Sequence, residues 1–289
     1  ITVANTFNAT AGAILKTGAK VVLVDADEKD FNLDINQVKD KITSKTKVIM
    51  PVHLYGQTVD MDSLIDIRDI NGINIIEDAC QSHGSKYQGE RAGSFGLAGC
   101  FSFYPGKNLG AYGDGGAIVT NDDNLASFLR KTRNYGQEKK YLHNTRADNS
   151  RLDTIQAAVL LPKLQVLDKW NGMRADNAKL YKECLNDVEE IQLPSQRKEG
   201  EHIYHLFVIK AQRRDELYKH LDEEKDIQVG LHYPVPIHLQ PCFSSSGYKE
   251  GDFPVSERLS KSILTLPMFP TLREEEIKYI GDSIKEFYA

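Results

Sequence analysis

The sequence predicts an α/β protein whose mainly parallel central sheet carries helices on both faces, with a smaller α+β part at the C-terminal end. Short apolar segments of strand length alternate with helical segments over the first half of the chain, which is typical of βαβ units. From Asp153 this alternation stops and a long amphipathic segment begins. Ligands of parallel sheets bind beyond the carboxyl ends of the strands, so we expect the functional site there.

The first half of the chain holds the alternating elements. Short segments rich in β-branched or aromatic residues predict strands at 1–4, 20–24, 46–52, 74–77, 99–103 and 116–120. Helical periodicity predicts helices at 8–16, 36–42 and 61–70. Gly18 is a stop signal for the first helix. Asp25, His53, Asp78 and the loop that holds Lys107 all follow predicted strands.

The second half begins with a predicted helix over 153–187. Leu160, Leu164 and Leu167 fall on one face of it, and we expect a kink near Pro162. Further predicted elements are a strand at 202–210, a helix at 214–222, a strand and loop at 228–236, and a helix at 274–287. We therefore expect a large domain over 1–152, a linking helix over 153–187 and a small domain over 188–289.

Composition excludes several classes of function. The formal net charge is −5, so we expect no nucleic-acid partner. No apolar run is long enough to span a bilayer, so we expect no membrane segment. Because the cysteines form no CxxC pair and no His cluster has zinc spacing, we expect no metal. Four free thiols in a reducing cytoplasm are the simplest interpretation: Cys80, Cys100, Cys184 and Cys242.

One lysine lies in the glycine- and aromatic-rich stretch FSFYPGKNLGAYGDGG, which has no acidic residue before Asp114. Lys107 is either a solvent-exposed side chain or a nucleophile whose pKa is lowered by its aromatic neighbours. Lysine forms Schiff bases with carbonyl compounds and with pyridoxal phosphate (PLP). A PLP site also needs a carboxylate for the ring nitrogen. Asp78, at the end of NIIED, is either that carboxylate or a capping residue.

These residues carry a resemblance to a known family. The segment NIIEDACQSHGSKYQGERAGSFGLAGCFSFYPGKNLGAYGDGGAIVTND resembles the core of the DegT/DnrJ/EryC1/StrS family of nucleotide-sugar aminotransferases. The family pattern there is EDAAQAHGA, then SF-x-P-x-K-N-L-G, then GDGGAIVT. The resemblance extends to TFNAT, RLDTIQAA, HYPVPIHLQP and LPMFP. It implies the PLP fold type I, in which the large domain resembles that of aspartate aminotransferase.

The resemblance implies a role for each matching residue. Lys107 would hold PLP as a Schiff base and move a proton between the donor Cα and the cofactor's C4′. Asp78 would pair with the pyridinium nitrogen, and Gln81 would contact the side of the ring that carries the 3-hydroxyl. Ser102 would bind the cofactor phosphate. Phe7 would stack on the ring, unless it is a plain core phenylalanine.

The resemblance also implies a homodimer. Asn149 matches an asparagine that reaches the PLP phosphate of the neighbouring subunit. Ala147 stands where the family has glycine, which puts the conformation of this loop in question. Relatives carry a preceding segment whose helix N-terminus binds the PLP phosphate. We expect that this segment precedes Ile1 in a longer natural protein, or that a chain without it binds PLP poorly.

Two loops are candidates for the substrate side. HYPVPIHLQPCF is either a proline-fixed connection or, by resemblance, a substrate-facing loop with Tyr233 and His238. Its pattern is closest to enzymes that act on 3-keto deoxysugars linked to dTDP or UDP. NYGQEKKYLHN is either a solvated loop or a cover over the nucleotide diphosphate, through Lys139 and Lys140.

The reaction implied by the resemblance is transamination. Glutamate would donate an amino group to PLP, and a nucleotide-linked keto sugar would accept it at C3, the position that the loop pattern favours. The alternatives are a PLP-dependent sugar dehydratase and a non-catalytic accessory protein of the same fold. The known dehydratases have histidine in place of the Schiff-base lysine, so Lys107 argues against the first. A spectral change of bound cofactor on adding glutamate alone would argue against the second.

Overall fold

A computed structural model describes residues 1–289. Its strands are β1 (Thr2–Val3), β2 (Leu23–Val24), β3 (Val48–Ile49), β4 (Asn74–Asp78), β5 (Lys86–Tyr87), β6 (Glu90–Arg91), β7 (Ala98–Ser102), β8 (Gly116–Val119), β9 (Gln137–Lys139), β10 (Leu142–His143), β11 (Ile191–Gln192), β12 (Gly200–Glu201), β13 (Phe207–Ala211) and β14 (Ile263–Leu266). Its α-helices are α1 (Asn8–Lys16), α2 (Ile35–Lys41), α3 (Met61–Asn71), α4 (Asp123–Thr132), α5 (Thr154–Leu185), α6 (Arg214–Lys219), α7 (Pro254–Ser262) and α8 (Glu274–Tyr288).

The central sheet is mainly parallel, as predicted. Strands β3, β4 and β7 are parallel neighbours, and β8 pairs antiparallel with β7. Strand β1 pairs parallel with β2. It also lies beside β3, because the Ile1 amino group donates to the Val48 carbonyl at 2.8 Å and the Met50 N–H donates to the Ile1 carbonyl at 2.8 Å. The strands therefore run in the order β2-β1-β3-β4-β7-β8.

Two large apolar clusters hold the molecule together. One of 21 buried residues lies around the central sheet and includes Val208, Leu259 and Ile263 from the C-terminal part. The other, of 18 residues, packs α5 and α8 against the antiparallel sheet β11-β13-β14. Because the first cluster draws on both ends of the chain, the C-terminal part packs directly on the sheet. The predicted domain boundaries stay a prediction.

Most predicted elements form, and three details differ. Helix α5 continues through Pro162, and Leu160 and Leu167 are buried, but Leu164 is 55% exposed. The strand predicted within 228–236 is wrong. Only Gly230 makes a bridge there, to Thr265, because the prolines that follow cannot donate to a ladder. Helices α4 and α7 were not predicted. No helix combines the length and apolar character needed to cross a membrane.

Candidate active site

The carboxyl end of β4 places Asp78 between two neighbouring strands. Its N–H donates to the Pro51 carbonyl at 2.9 Å, and its carbonyl accepts the His53 N–H at 3.0 Å. On the other side it pairs in register with Cys100 of β7. The backbone of Asp78 is therefore fixed on both sides, and its side chain lies beyond the strand end, where parallel sheets bind ligands.

The Asp78 carboxylate has only neutral hydrogen-bond donors. Oδ2 accepts the Thr10 hydroxyl at 2.7 Å, and Oδ1 accepts the Cys80 N–H at 3.2 Å. The side chain is half-buried, and no cationic side chain forms an ion pair with it. A carboxylate left with its negative charge in this way suits a cationic ligand group such as a protonated ring nitrogen.

Lys107 lies in the tight loop that follows β7. Its N–H donates to the Tyr104 carbonyl at 2.9 Å. A Cβ at Gly110 would lie 2.3 Å from the Pro105 carbonyl oxygen, so the loop closes only with glycine there. The lysine is half-buried and forms no ion pair. The role of Lys107 as a nucleophile stays a prediction.

Burial makes the amine of Lys107 easier to deprotonate than that of an exposed lysine. Burial lowers the pKa of Lys107 below its ordinary value, while Cys80 and Asp78 act in the opposite direction. Burial, with the negative charge of Asp78, raises the pKa of the Cys80 thiol above its ordinary range. Cys80 is therefore a neutral thiol at neutral pH.

A buried amide network anchors the Lys107 loop. The Asn108 Nδ2 donates to Asn171 Oδ1 on α5 at 2.9 Å, and Asn171 Nδ2 donates to the His83 carbonyl at 2.8 Å. His205 Nδ1 lies 3.0 Å from Asn108 Oδ1, which only accepts, so Nδ1 carries the proton. Burial holds the pKa of His205 well below its ordinary value. The residue after Lys107 is therefore fixed to two distant segments.

Gln81 and Tyr233 meet at the mouth of the site. Gln81 Nε2 donates to the Tyr233 hydroxyl at 2.9 Å, and Gln81 Oε1 accepts the Tyr55 N–H at 2.7 Å. The Tyr233 ring centroid lies 5.7 Å from that of Phe7. Phe7 is 57% exposed, so its interpretation as a plain core phenylalanine is wrong. An exposed ring here is free to stack on a flat ligand.

Four predicted residues lie apart from this group or at its edge. Ser102 ends β7, and its Oγ accepts the Tyr104 N–H at 3.2 Å. Asn149 is exposed, and its Oδ1 accepts the Arg151 N–H at 3.2 Å. Lys139 and Lys140 are exposed in the β9–β10 hairpin. None of these side chains hydrogen-bonds to Asp78, Gln81 or Lys107, and their roles stay predictions.

The structure does not agree with a substrate-facing His238. Its side chain is buried, with 2% exposure, and its Nε2 lies 2.9 Å from Glu257 Oε1. Glu257 also accepts the N–H groups of Gly251 and Phe253. His238 therefore packs beneath the loop, because its apolar surroundings and carboxylate partner turn it inward.

Sequence reasoning missed several residues of the site. Thr10 lies in the TFNAT segment, three residues after Phe7. A hydroxyl so close to a predicted site residue could have been predicted to belong to the site. Asn108 follows Lys107 directly, and its amide was an available signal too. Tyr55 and His205 carried no local signal, because both enter the site through contacts with distant segments.

Comparison with known proteins assigns the chain and its fold to a class, the aminotransferases. The DegT/DnrJ/EryC1/StrS aminotransferase family matches residues 1–285. The chain belongs to this family.

Two relatives cover nearly the whole chain. The pleiotropic regulatory protein of Geobacillus stearothermophilus is 47% identical over 290 residues, which are 100% of this chain and 78% of that protein. The dTDP-3-amino-3,4,6-trideoxy-alpha-D-glucose transaminase of Streptomyces venezuelae is 43% identical over 283 residues, 98% of this chain and 74% of that protein.

Solved structures share the fold closely. DesV from S. venezuelae, in complex with a ketimine intermediate, is 42% identical with a TM-score of 0.96 and covers 99% of this chain and 77% of that one. The ntda protein of Bacillus subtilis, with bound cofactor PMP, is 30% identical with a TM-score of 0.89, over 99% and 66% of the two chains.

Proposed function

We propose that this aminotransferase uses PLP, held by Lys107, to move an amino group from glutamate to the C3 keto group of a nucleotide-linked deoxysugar. The observation that carries the proposal is Lys107 itself. It is a half-buried lysine without an ion pair, close to an Asp78 carboxylate that has only neutral donors. These two side chains fit a ligand that has an aldehyde beside the lysine and a cationic ring nitrogen beside the aspartate.

Different residues of the chain have different roles in the reaction. Bound PLP supplies the electron sink for the group transfer. Asp78 holds the ring nitrogen, and Phe7 offers its exposed face to the ring. Lys107 Nζ moves the proton, a general acid–base step that works best when the pKa lies near the working pH. Burial moves the pKa of Lys107 in that direction.

The relatives support the sugar class and position. The S. venezuelae transaminase is named for a dTDP-linked 3-amino sugar, which agrees with the C3 preference expected from the HYPVPIHLQP loop. The ntda structure holds PMP, which supports the cofactor. Tyr233 lies at the mouth of the site beside Phe7 and is the side chain best placed to meet the acceptor.

We also propose that two copies assemble and that Asn149 acts in the partner's site. Exposed apolar side chains at the start of α5 and in the β9–β10 hairpin support a face that a second copy covers. They are Ile155, Leu161, Leu164, Tyr141 and Leu142. Mixing Lys107→Ala with Asn149→Ala subunits would form hybrid dimers with one intact site. Activity near one quarter of wild type is then expected from random pairing. A mixture as inactive as its parts would place Asn149 outside the partner's site.

One relative favours a second candidate function. The Geobacillus stearothermophilus protein is named a pleiotropic regulatory protein, which supports a non-catalytic regulator. The two candidates differ in one half-reaction. An aminotransferase converts its bound cofactor when glutamate alone is added, and a regulator has no need to do so.

The test combines absorption spectra with chemical trapping. PLP is added to purified protein, spectra are recorded before and after glutamate, and the complex is reduced with borohydride and mapped by mass spectrometry. Lys107→Ala is the variant, and Lys169→Ala, an exposed lysine of α5, is its control. We expect a visible band that glutamate bleaches and a pyridoxyl group on Lys107. Product detection with dTDP- and UDP-linked 3-keto and 4-keto sugars then assigns the acceptor.

Two outcomes would contradict the proposal. The first is a wild-type protein without a visible band at saturating PLP. The second is a reduced pyridoxyl group on another lysine. A band that glutamate leaves unchanged would favour the regulator.

A further inference from the structure

A chain of two threonines ends on the Asp78 carboxylate. Thr10, in the first turn of α1, donates its hydroxyl to Asp78 Oδ2 at 2.7 Å. The Thr6 and Thr10 hydroxyl oxygens lie 3.2 Å apart. Both threonines are buried, with 2% and 4% exposure, so water does not compete for these contacts.

The chemistry of the groups fixes which one donates in each of these hydrogen bonds. An ionised carboxylate only accepts hydrogen bonds, so Thr10 donates its single O–H to Asp78. Its oxygen must then accept from Thr6. The order is Thr6 to Thr10 to Asp78, and each bond polarises the next.

We propose that Thr10 is a positioning residue for Asp78, supported by Thr6. It holds one orientation of the carboxylate and stabilises the ionised form, which the ring nitrogen of the cofactor requires. The inference rests on the proposed function, because it concerns the same site. It adds residues from the segment beside Phe7 to the group that sets the charge of the site.

Other groups near Asp78 do not replace this donor. The titratable side chains around it come from four places in the fold: Cys80 after β4, Cys100 on β7, Lys107 in the following loop and Tyr233 from the C-terminal part. None of the four forms a side-chain hydrogen bond to the carboxylate as short as that of Thr10. Removing the Thr10 hydroxyl therefore leaves Oδ2 without its donor.

The test measures PLP affinity of the full chain as a function of pH. Thr10→Val removes the hydroxyl but keeps the shape, and Thr10→Ser keeps the hydroxyl. Thr17→Val is the control, since the Thr17 hydroxyl on the same segment makes only local bonds, to the Ile14 carbonyl and from the Ala19 N–H. A carboxylate that loses a hydrogen-bond donor is less stable in its charged form. We expect the acid limb of PLP binding to move up by about one pH unit in Thr10→Val.

The remaining variants define the outcomes. Thr10→Ser should keep the wild-type pH profile, and Thr6→Val should shift it in the same direction by less. A Thr10→Val variant with the same pH dependence as Thr17→Val would overturn the proposal. This holds even if its PLP affinity is lower by the same factor at every pH. Failure of the proposed function looks different, because the wild type itself would then bind no PLP. Thermal unfolding of the cofactor-free variants checks that each one folds.

Discussion

Gln81 Nε2 donates to the Tyr233 hydroxyl at 2.9 Å across 152 residues of sequence. The contact joins the end of the central sheet to the C-terminal loop at the mouth of the site. The other end of the same amide accepts the Tyr55 N–H at 2.7 Å. Both ends of Gln81 are therefore engaged, and one amide N–H is left for a ligand.

The Gln81–Tyr233 contact should contribute to stability. We expect Tyr233→Phe to lower the free energy of unfolding by about 1 kcal/mol, because a partly buried hydrogen bond is lost. A double-mutant cycle with Gln81→Met in urea unfolding should give a coupling energy of similar size. Tyr279→Phe removes an exposed hydroxyl that donates to the Lys225 carbonyl, far from Gln81, and is the control. A coupling energy near zero would show that the two side chains act independently.

Glu77 should be essential to the sheet beneath the site. Its buried carboxylate accepts His53 Nε2 at 2.9 Å and the N–H groups of Gly93, Phe95 and Gly96. Burial alone would raise the pKa of Glu77, but these hydrogen bonds more than offset burial and hold it below the ordinary value.

We expect Glu77→Gln to lower the free energy of unfolding by about 3 kcal/mol, because an amide cannot satisfy all of these donors. Urea unfolding measures the loss. Glu90→Gln, on the exposed strand β6, should lie close to wild type. Equal effects of the two substitutions would refute this account of Glu77.

His83 should make stability fall in mild acid. Burial lowers the pKa of His83 from 6.5 to about 4, and both ring nitrogens lack a hydrogen-bond partner. Below pH 6.5 the unfolded chain binds a proton that the folded chain does not, so stability is lost as pH falls toward 4. The full shift corresponds to about 3 kcal/mol.

The His83 prediction is checked by urea unfolding between pH 7 and 4, a range set by the pKa values above. His83→Phe should flatten this part of the profile. Phe103→Leu alters the packing beside His83 without removing a titratable group, so it should keep the wild-type slope. An unchanged slope in His83→Phe would mean that other groups cause the loss.

Asp25 should hold α7 onto the central sheet. Its buried carboxylate accepts the Val255 and Ser256 N–H groups at 2.8 Å each and the Ser256 hydroxyl at 2.6 Å. We expect Asp25→Ala to lower the free energy of unfolding by about 2 kcal/mol, because these donors lose their acceptor. Hydrogen exchange should then speed up across 254–262. Asp34→Ala, which uncaps α2, should leave that segment protected; the same exchange in both variants would contradict the role of Asp25.

Local patterns were sufficient for most elements and for selecting Lys107 and Asp78 as candidate site residues. The alternation of apolar and helical segments predicted β4 and α3, and α1 begins and ends at the predicted residues. Lys107 and Asp78 stood out because each has an unusual local setting. Helix α7 was missed because its cap comes from Asp25, about 230 residues earlier.

His238 shows why a residue type in a loop does not fix its direction. The family resemblance implied that His238 contacts the substrate. In the folded chain the side chain turns inward to Glu257, and Phe253 packs on it at 4.7 Å between ring centroids. That outcome depends on how α7 packs, which no pattern within the loop records.

The sequence by itself determined the family, the strand–helix alternation and the lysine–aspartate pair, because these depend on neighbouring residues and turn chemistry. Only the tertiary structure decided which groups surround that pair. Thr10 meets Asp78 across 68 residues, His205 meets Asn108 across 97, and Tyr233 meets Gln81 across 152. The physical reason is range: hydrogen bonds act over about 3 Å, so their partners are set by the packing of distant segments.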